Sequence, residues 1–371
     1  MTDVASAHAR SLTIDGVEIH DGGDCYVVAE VGHNHQGDVA LAKRLIDTAK
    51  DCGVDAVKLQ KRSNRSLYTR EFYEQPYANE LSFGRTYGEH REALELDQDA
   101  YRELLDHARV VGLTVFATAF DFESADELAE LDVPAFKFAS GDLKNTPLQR
   151  HVASFGKPML LSTGGGTLAD VERAVATILP INDQLAVLQC TAAYPASVEE
   201  LNLNVITTLR ERFPDLVIGL SDHQNGIAMA VVAYMLGARI VEKHFTLDHA
   251  LKGRDHAFSL MPEGMRRLVR DLHRIPAALG DGEKRPLPSE ADPLEKMGKK
   301  LVAARDLELG HVLAAEDIAI KSPADGGLPP YELDRLVGRR LRRQLAFEDF
   351  VTFDDVEPLT EHAGAHATAK P

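Results

Sequence analysis

A (β/α)8 barrel followed by a small β-rich domain is the fold this sequence predicts, and three observations lead to it. Eight short, β-branched apolar runs alternate with amphipathic stretches up to about residue 280. The runs are near-continuous in apolar residues, as strands of a parallel sheet covered on both faces must be. Beyond that point the composition changes to a Pro-, Lys- and acid-rich stretch and then to short strand patterns broken by turns. Eight strand–helix units in about 280 residues suit a closed barrel better than an open doubly wound sheet, which is the alternative.

In chain order, the strands fall at 26–31, 55–60, 114–118, 135–140, 158–162, 186–189, 217–220 and 240–242, each bounded by Gly, Pro or polar residues. The clearest helices are 39–52, with Leu41, Leu45, Ile46 and Ala49 at spacings of three and four, then 98–111, 201–213 and 227–236. Segment 62–96 is long, aromatic and polar (Tyr68, Phe72, Tyr73, Tyr77, Phe83, Tyr87) and reads as a lid or wall of a site. The barrel domain then spans 1–282, a linker 283–296, and a small β-rich domain 297–358 with turns at 308–310 and 324–330; 359–371 is expected to be a disordered tail.

Composition narrows the function. Against 58 Asp and Glu stand 41 Lys and Arg, a formal charge of -17, which argues against nucleic acid as a partner. Three cysteines, Cys25, Cys52 and Cys190, lie in apolar runs and read as buried thiols of a reducing compartment, the cytoplasm by default. No stretch reaches the roughly 18 uninterrupted apolar residues of a spanning helix, so no membrane role is expected.

In such a barrel the chemistry belongs to the carboxyl ends of the strands. Here those ends carry Glu30; Lys58 and Gln60; Thr118; Lys137, Ser140 and Asp142; Ser162 and Thr163; Gln189, Thr191 and Tyr194; Ser221, Asp222 and His223; and Glu242, Lys243 and His244. Charges facing a barrel core cost several kcal/mol unless paired or used, so convergence from all eight strands points to a site. His223 and His244 follow neighbouring strands and would reach one divalent ion while leaving positions open for substrate. Imidazole with oxygen donors suits Mn, Zn, Fe or Co. His33, His35 and His256 are further candidates, the first two in a turn-rich loop. Lys58, Lys137, Ser140 and Ser162, with the Gly164–Gly166 run ahead of the helix from Leu168, offer ammonium groups, hydroxyls and a helix N-terminus to a phosphate or carboxylate. Lys137 has a second reading, as the Schiff-base lysine of a metal-free aldolase.

These residues resemble those of the sialic acid synthases, which condense phosphoenolpyruvate with N-acetylmannosamine or its relatives. The resemblance is carried by Ala29-Glu30-Val31-Gly32 with Asn34-His35 and Gly37; Lys58; Tyr87-Gly88-Glu89-His90; Phe136-Lys137 with Ser140-Gly141-Asp142; Ser162-Thr163-Gly164; Cys190-Thr191 with Tyr194-Pro195; Ser221-Asp222-His223; Glu242-Lys243-His244-Phe245-Thr246; and Gly253 with Asp255-His256. From Gly298-Lys299 through Val337-Gly338 the chain is similar to the family's antifreeze-like (SAF, β-clip) module. The resemblance implies that His223 and His244 hold a divalent metal, manganese with magnesium or cobalt as alternatives. It implies that Lys58, Thr118, Lys137, Ser140 and Ser162 hold phosphoenolpyruvate, with Ser221 at its carboxylate, that Glu30 acts near the metal, and that Gln60, Asp142, Tyr194 and Asp255 contact an aldose acceptor. It further implies a domain-swapped homodimer in which one chain's small module covers the partner's barrel mouth.

Departures bear on the acceptor. Ala192 stands where bacterial members often carry an Asn near the acetamido group, and Ser322 where they offer an Arg from the partner's small domain. Asp142 replaces the usual Glu and Gly165 the usual Met. The Tyr87-to-His90 motif and Lys252-Gly253-Arg254-Asp255-His256 look closer to animal-type synthases, some of which take 6-phosphorylated or non-acetylated sugars. Other readings are a synthase of another 2-keto-3-deoxy sugar acid for natural products or surface glycans, and a non-catalytic carbohydrate-binding protein.

Overall fold

Residues 10–358 are described by a computed structural model of the chain; the tail 359–371, expected to be disordered, lies outside the described residues. A hairpin comes first, β1 (Ser11–Ile14) paired antiparallel with β2 (Val17–His20). It turns at Asp15 and Gly16, both with positive φ (50° and 79°). An Asp-Gly pair is the sequence that a two-residue hairpin loop with both central residues left-handed favours. The hairpin precedes the eight strands expected from the sequence.

The barrel strands follow: β3 (Tyr26–Gly32), β4 (Ala56–Lys61), β5 (Thr114–Ala119), β6 (Phe136–Phe138), β7 (Met159–Ser162), β8 (Leu185–Cys190), β9 (Val217–Asp222) and β10 (Ile240–His244). All pair in parallel, and β10 closes on β3, giving the (β/α)8 barrel. The expected β6 is shortened because Ser140 opens a tight helical turn, Ser140–Asp142. The helices expected at 201–213 and 227–236 form as Val205–Arg212 and Ala228–Met235.

Strand periodicity sorts the side chains. Val27, Ala29, Val57, Leu59, Val115, Ala117, Phe136, Phe138, Leu161 and Val241 face outward and join the helices in the larger core. Tyr26, Val28, Ala56, Phe116, Ala135, Leu160, Ala186, Leu188, Val217 and Ile240 face inward at the amino half of the barrel, where Leu12, Ile14 and Ile19 of the hairpin pack with them in one buried cluster. Further along seven of the eight strands the inward series turns polar: Glu30, Lys58, Thr118, Lys137, Ser162, Ser221 and Glu242. The amino half is therefore a packed apolar plug and the carboxyl half a polar floor.

The chain divides between Gly280 and Asp281 into two compact units. In the second, segment 283–296 contains most of a short helix, Ala291–Met297. It leads to β11 (Lys300–Ala303) and β12 (Ile318–Lys321), paired antiparallel over a core of Leu301, Leu307, Leu313, Leu336, Leu345 and Val351. Among the described residues no helix is long and apolar enough to cross a membrane. The three cysteines are buried free thiols, as the sequence implies.

Candidate active site

The residues that the family resemblance assigns to metal, phosphoenolpyruvate and acceptor all line one cavity of about 860 Å3 at the carboxyl end of the barrel, except Asp142. Asp142 caps locally: its carboxylate accepts a hydrogen bond from Asn145 Nδ2 at 3.0 Å, where Asn145 caps helix Thr146–Ala153. It is not among the lining residues.

Glu242 organises the floor. Its Oε1 accepts from Ser221 Oγ at 2.9 Å and lies 3.5 Å from Lys137 Nζ, while Oε2 lies 3.7 Å from Lys58 Nζ. Burial alone would raise its pKa, but the two ammonium groups outweigh that and hold it at about 2. Glu30 pairs with Lys58 at 2.8 Å and accepts from Gln60 Nε2 at 2.6 Å, yet for this carboxyl burial wins and the pKa is raised. The environments of the two buried carboxyls thus pull their pKa values in opposite directions, a pattern found where acid and base roles are divided. Lys58 also donates to Thr118 Oγ1 at 2.9 Å; burial would lower its pKa, but Glu242 and Glu30 raise it. Lys137 donates to Ser162 Oγ at 2.6 Å and to the Phe138 carbonyl at 3.1 Å, and burial lowers its pKa. Lysine nitrogens and hydroxyls gathered on one buried floor are donors suited to an anion.

The two histidines meet as the sequence predicts, with ring centroids 5.3 Å apart. His223 Nδ1 lies 2.8 Å from the Thr191 carbonyl and so carries the proton, which leaves Nε2 free to ligate. His244 Nδ1 is buried without a hydrogen-bond partner and lies 3.8 Å from Asp255 Oδ2. Burial lowers the His244 pKa, favouring the neutral, ligating form. Among the described residues no three His, Cys, Asp or Glu side chains form a ligand cluster. The chain thus supplies a pair of imidazoles, and the orphaned Nδ1 is the observation that fits a cation there, with its remaining positions open. Tyr194 lies over His223 at 4.1 Å between ring centroids.

The other histidine candidates separate. His35 is structural: Nδ1 accepts from Gly37 N at 3.1 Å, and the side chain does not line the cavity. His256 is held by Thr246 Oγ1 at 2.7 Å and is likewise outside it. His33 does line the cavity, between Arg62 and Arg91. The helix N-terminus behind Gly164–Gly166 is not open to an anion, since Thr167 and Asp170 close it with a capping box. Gly164 serves close approach instead: a Cβ there would stand 2.7 Å from Ser140 Oγ. Asp222 and Lys243 pair with each other at 2.9 Å, and Gln189 donates to the Leu201 carbonyl.

Glu242 was recognised as a strand-end group but not as the hub, although its position two before His244 on an inward face would have indicated it. Arg62, Arg91, Lys252 and Arg254 also line the cavity, with Tyr77, Phe83, Tyr87 and Phe120. The aromatic segment 62–96 does form a wall of the site, through Arg62, Tyr77, Leu81, Phe83, Tyr87, His90, Arg91 and Leu94.

Comparison with known proteins agrees with this geometry. The NeuB family matches residues 45–284, and the SAF domain matches residues 300–357. The N-acetylneuraminate-9-phosphate synthase of Mus musculus is 39% identical over 333 residues, covering 90% of this chain and 93% of the relative. The N,N'-diacetyllegionaminic acid synthase of Legionella pneumophila is 35% identical over 339 residues, covering 90% and 95%. The crystal structure of the N-acetylneuraminic acid (sialic acid) synthetase of Leptospira borgpetersenii, in complex with citrate, superposes with a TM-score of 0.67 at 29% identity, covering 78% of this chain and 97% of that one. The chain belongs to the NeuB family of sialic acid synthases and carries the SAF domain after its barrel.

Proposed function

We propose that this enzyme condenses phosphoenolpyruvate with an aldose of the N-acetylmannosamine type to give a nine-carbon 2-keto sugar acid and phosphate. The observation that carries the reading is the polar floor: Lys58 and Lys137 around ionised Glu242, beside two imidazoles, in one cavity of a chain of this family. C3 of phosphoenolpyruvate bonds to the aldehyde carbon, and the aldehyde oxygen takes a proton. Water adds at C2 and gives up one proton, and the C2–O bond to phosphate then breaks while the remaining hydroxyl proton passes to the departing phosphate, leaving the ketone. Lys58 and Lys137 hold the phosphate and meet the charge it gains on leaving, with Thr118 and Ser162 fixing their direction. Glu30, whose pKa is raised by burial, holds the proton destined for the aldehyde oxygen. His223 and His244 would bind a divalent ion, manganese with magnesium or cobalt as alternatives, which supplies Lewis-acid polarisation of the aldehyde when bound. The same reading includes a homodimer with exchanged small domains, for which sedimentation equilibrium is the test.

Phosphate release from phosphoenolpyruvate, with manganese and with or without EDTA, is the deciding assay. Release that depends on an aldose and is abolished by EDTA supports the reading, and aldose-independent or EDTA-resistant release overturns it. One observation favours a second reading: burial lowers the pKa of Lys137, the direction a Schiff-base lysine needs. Borohydride trapping of substrate on Lys137 would establish that path instead.

A further inference from the structure

Beside each imidazole of the pair stands a buried charge that takes no part in the proposed chemistry. Asp222 directly precedes His223 at the end of β9, and Lys243 directly precedes His244 at the end of β10. The two are register partners across the β9–β10 ladder, and each is 2% exposed. Strand alternation turns them away from the cavity. Leu220 and Val241, two residues earlier on the same faces, belong to the outer core, whereas Ser221, Glu242 and both histidines line the cavity. Asp222 and Lys243 are not among its lining residues.

Their hydrogen bonds close around one residue. Lys243 Nζ donates to Asp222 Oδ2 at 2.9 Å and also to the Gln224 carbonyl. Asp222 Oδ1 accepts from the Gln224 backbone N–H at 2.9 Å. Gln224 is therefore held at both of its backbone polar groups and Asp222 at its side chain, so the chain is fixed on either side of His223. The His223 carbonyl accepts from Ala196 N at 3.1 Å, and its Nδ1 meets the Thr191 carbonyl at 2.8 Å. Those two contacts come from the loop after β8 and orient the ring; the bracket from β10 sets where the ring starts. Through Lys243, the placement of His223 is tied to the strand that carries His244.

A buried ion pair is a poor source of stability, because two charges leave water and an apolar pair of like volume serves as well or better. What it offers is a defined geometry, with one ammonium group shared between a carboxylate and a carbonyl. The two rings whose spacing this geometry governs have centroids 5.3 Å apart, and His244 keeps an orphaned Nδ1.

We infer that Asp222 and Lys243 are positioning residues: their ion pair clamps the backbone around His223 to β10 and so sets the His223 ring against that of His244 for one shared divalent cation. The inference deepens the metal-dependent reading above and rests on it for the cation, while the clamp on His223 is a property of the chain alone.

The test uses the full chain without substrates. Lys243→Met alone strands a buried carboxylate, so the informative variant combines Asp222→Leu with Lys243→Met, which removes both charges and is expected to melt within a few degrees of the wild type. Manganese titration followed by electron paramagnetic resonance of the free ion should show the dissociation constant rising about 10- to 100-fold in this double variant, the range for losing a partner that orients a metal ligand. Nitrogen-15 spectra of labelled histidine, with His223 assigned by its absence in His223→Ala, should show a single Nδ1–H tautomer in the wild type and a mixture in the double variant. Asp222→Glu keeps the charges but lengthens one arm of the bracket by a methylene, and should weaken manganese binding in the same direction; it decides by the same titration if the double variant melts far below the wild type. Unchanged manganese affinity in a variant that melts like the wild type overturns the inference, since the pair would then only fill space. A wild type that binds no manganese, with a tautomer that the double variant loses, would sink the metal reading and leave the clamp standing; one that binds none and keeps the tautomer in the double variant would sink both.

Discussion

At Glu242 one carboxylate serves Ser221, Lys58 and Lys137 together, and its removal has a readable outcome. Glu242→Gln leaves two buried ammonium groups without their shared counter-charge, a loss of about 3–5 kcal/mol in urea unfolding. Inorganic phosphate should then raise the melting temperature of the variant more than that of the wild type, because the added anion replaces the missing charge. A variant as stable as the wild type would mean the floor is not electrostatically coupled. At His223, substitution by Ala should abolish turnover and leave the circular dichroism spectrum unchanged; a normal rate would remove the role of the imidazole pair. Most of this was legible from residue type and place, since a charged side chain at the end of an otherwise apolar strand has few uses other than chemistry. Asp142 is less readable, because a short acidic side chain after a strand is equally suited to a turn, and here it accepts from Asn145.

Among the elements, the barrel strands could be read because burial on both faces writes apolar residues at nearly every position. The N-terminal hairpin lies ahead of the eight strands read from the sequence, although its Asp-Gly turn and alternating flanks are a strong hairpin signal. Leu12→Ala should cost about 2–5 kcal/mol by opening a cavity in the plug. It should leave kcat unchanged, because the plug lies at the end of the barrel opposite the site. A fall in kcat equal to that of a floor variant would contradict this division. Gly219 is constrained in another way: a Cβ there would meet the Ile240 carbonyl at 2.6 Å and Leu188 Cδ2 at 2.4 Å, inside the closed sheet. Gly219→Val should therefore abolish soluble expression, which a soluble-fraction assay would show.

For the whole molecule, stability depends on pH through groups that burial displaces. His35 is held at about 4, below its ordinary 6.5. Its contribution is present above pH 6.5 and is lost as pH falls toward 4, at about 3 kcal/mol. Glu95 moves the opposite way, pushed up to about 7 by burial, so its contribution is present at low pH and is lost as pH rises through 7. Urea midpoints from pH 4 to 8 should fall on the acid side, and His35→Gln should flatten that limb; an unaltered limb would refute the assignment. At this scale the sequence was least informative. Arg62, Arg91, Lys252 and Arg254 come from three distant segments with no common spacing, and only folding brings them to one cavity.

The hairpin plug also governs traffic. With Leu12, Ile14 and Ile19 packed into the apolar cluster that fills the amino end, the cavity lies at the carboxyl end of the barrel. If phosphoenolpyruvate binds the floor, as proposed above, it enters before the acceptor, and the phosphate formed there leaves after the sugar acid. Queueing of this kind predicts an ordered kinetic sequence, with the sugar acid departing first and phosphate last. Product-inhibition patterns would reveal that order, with phosphate competitive against phosphoenolpyruvate and the sugar acid competitive against neither substrate.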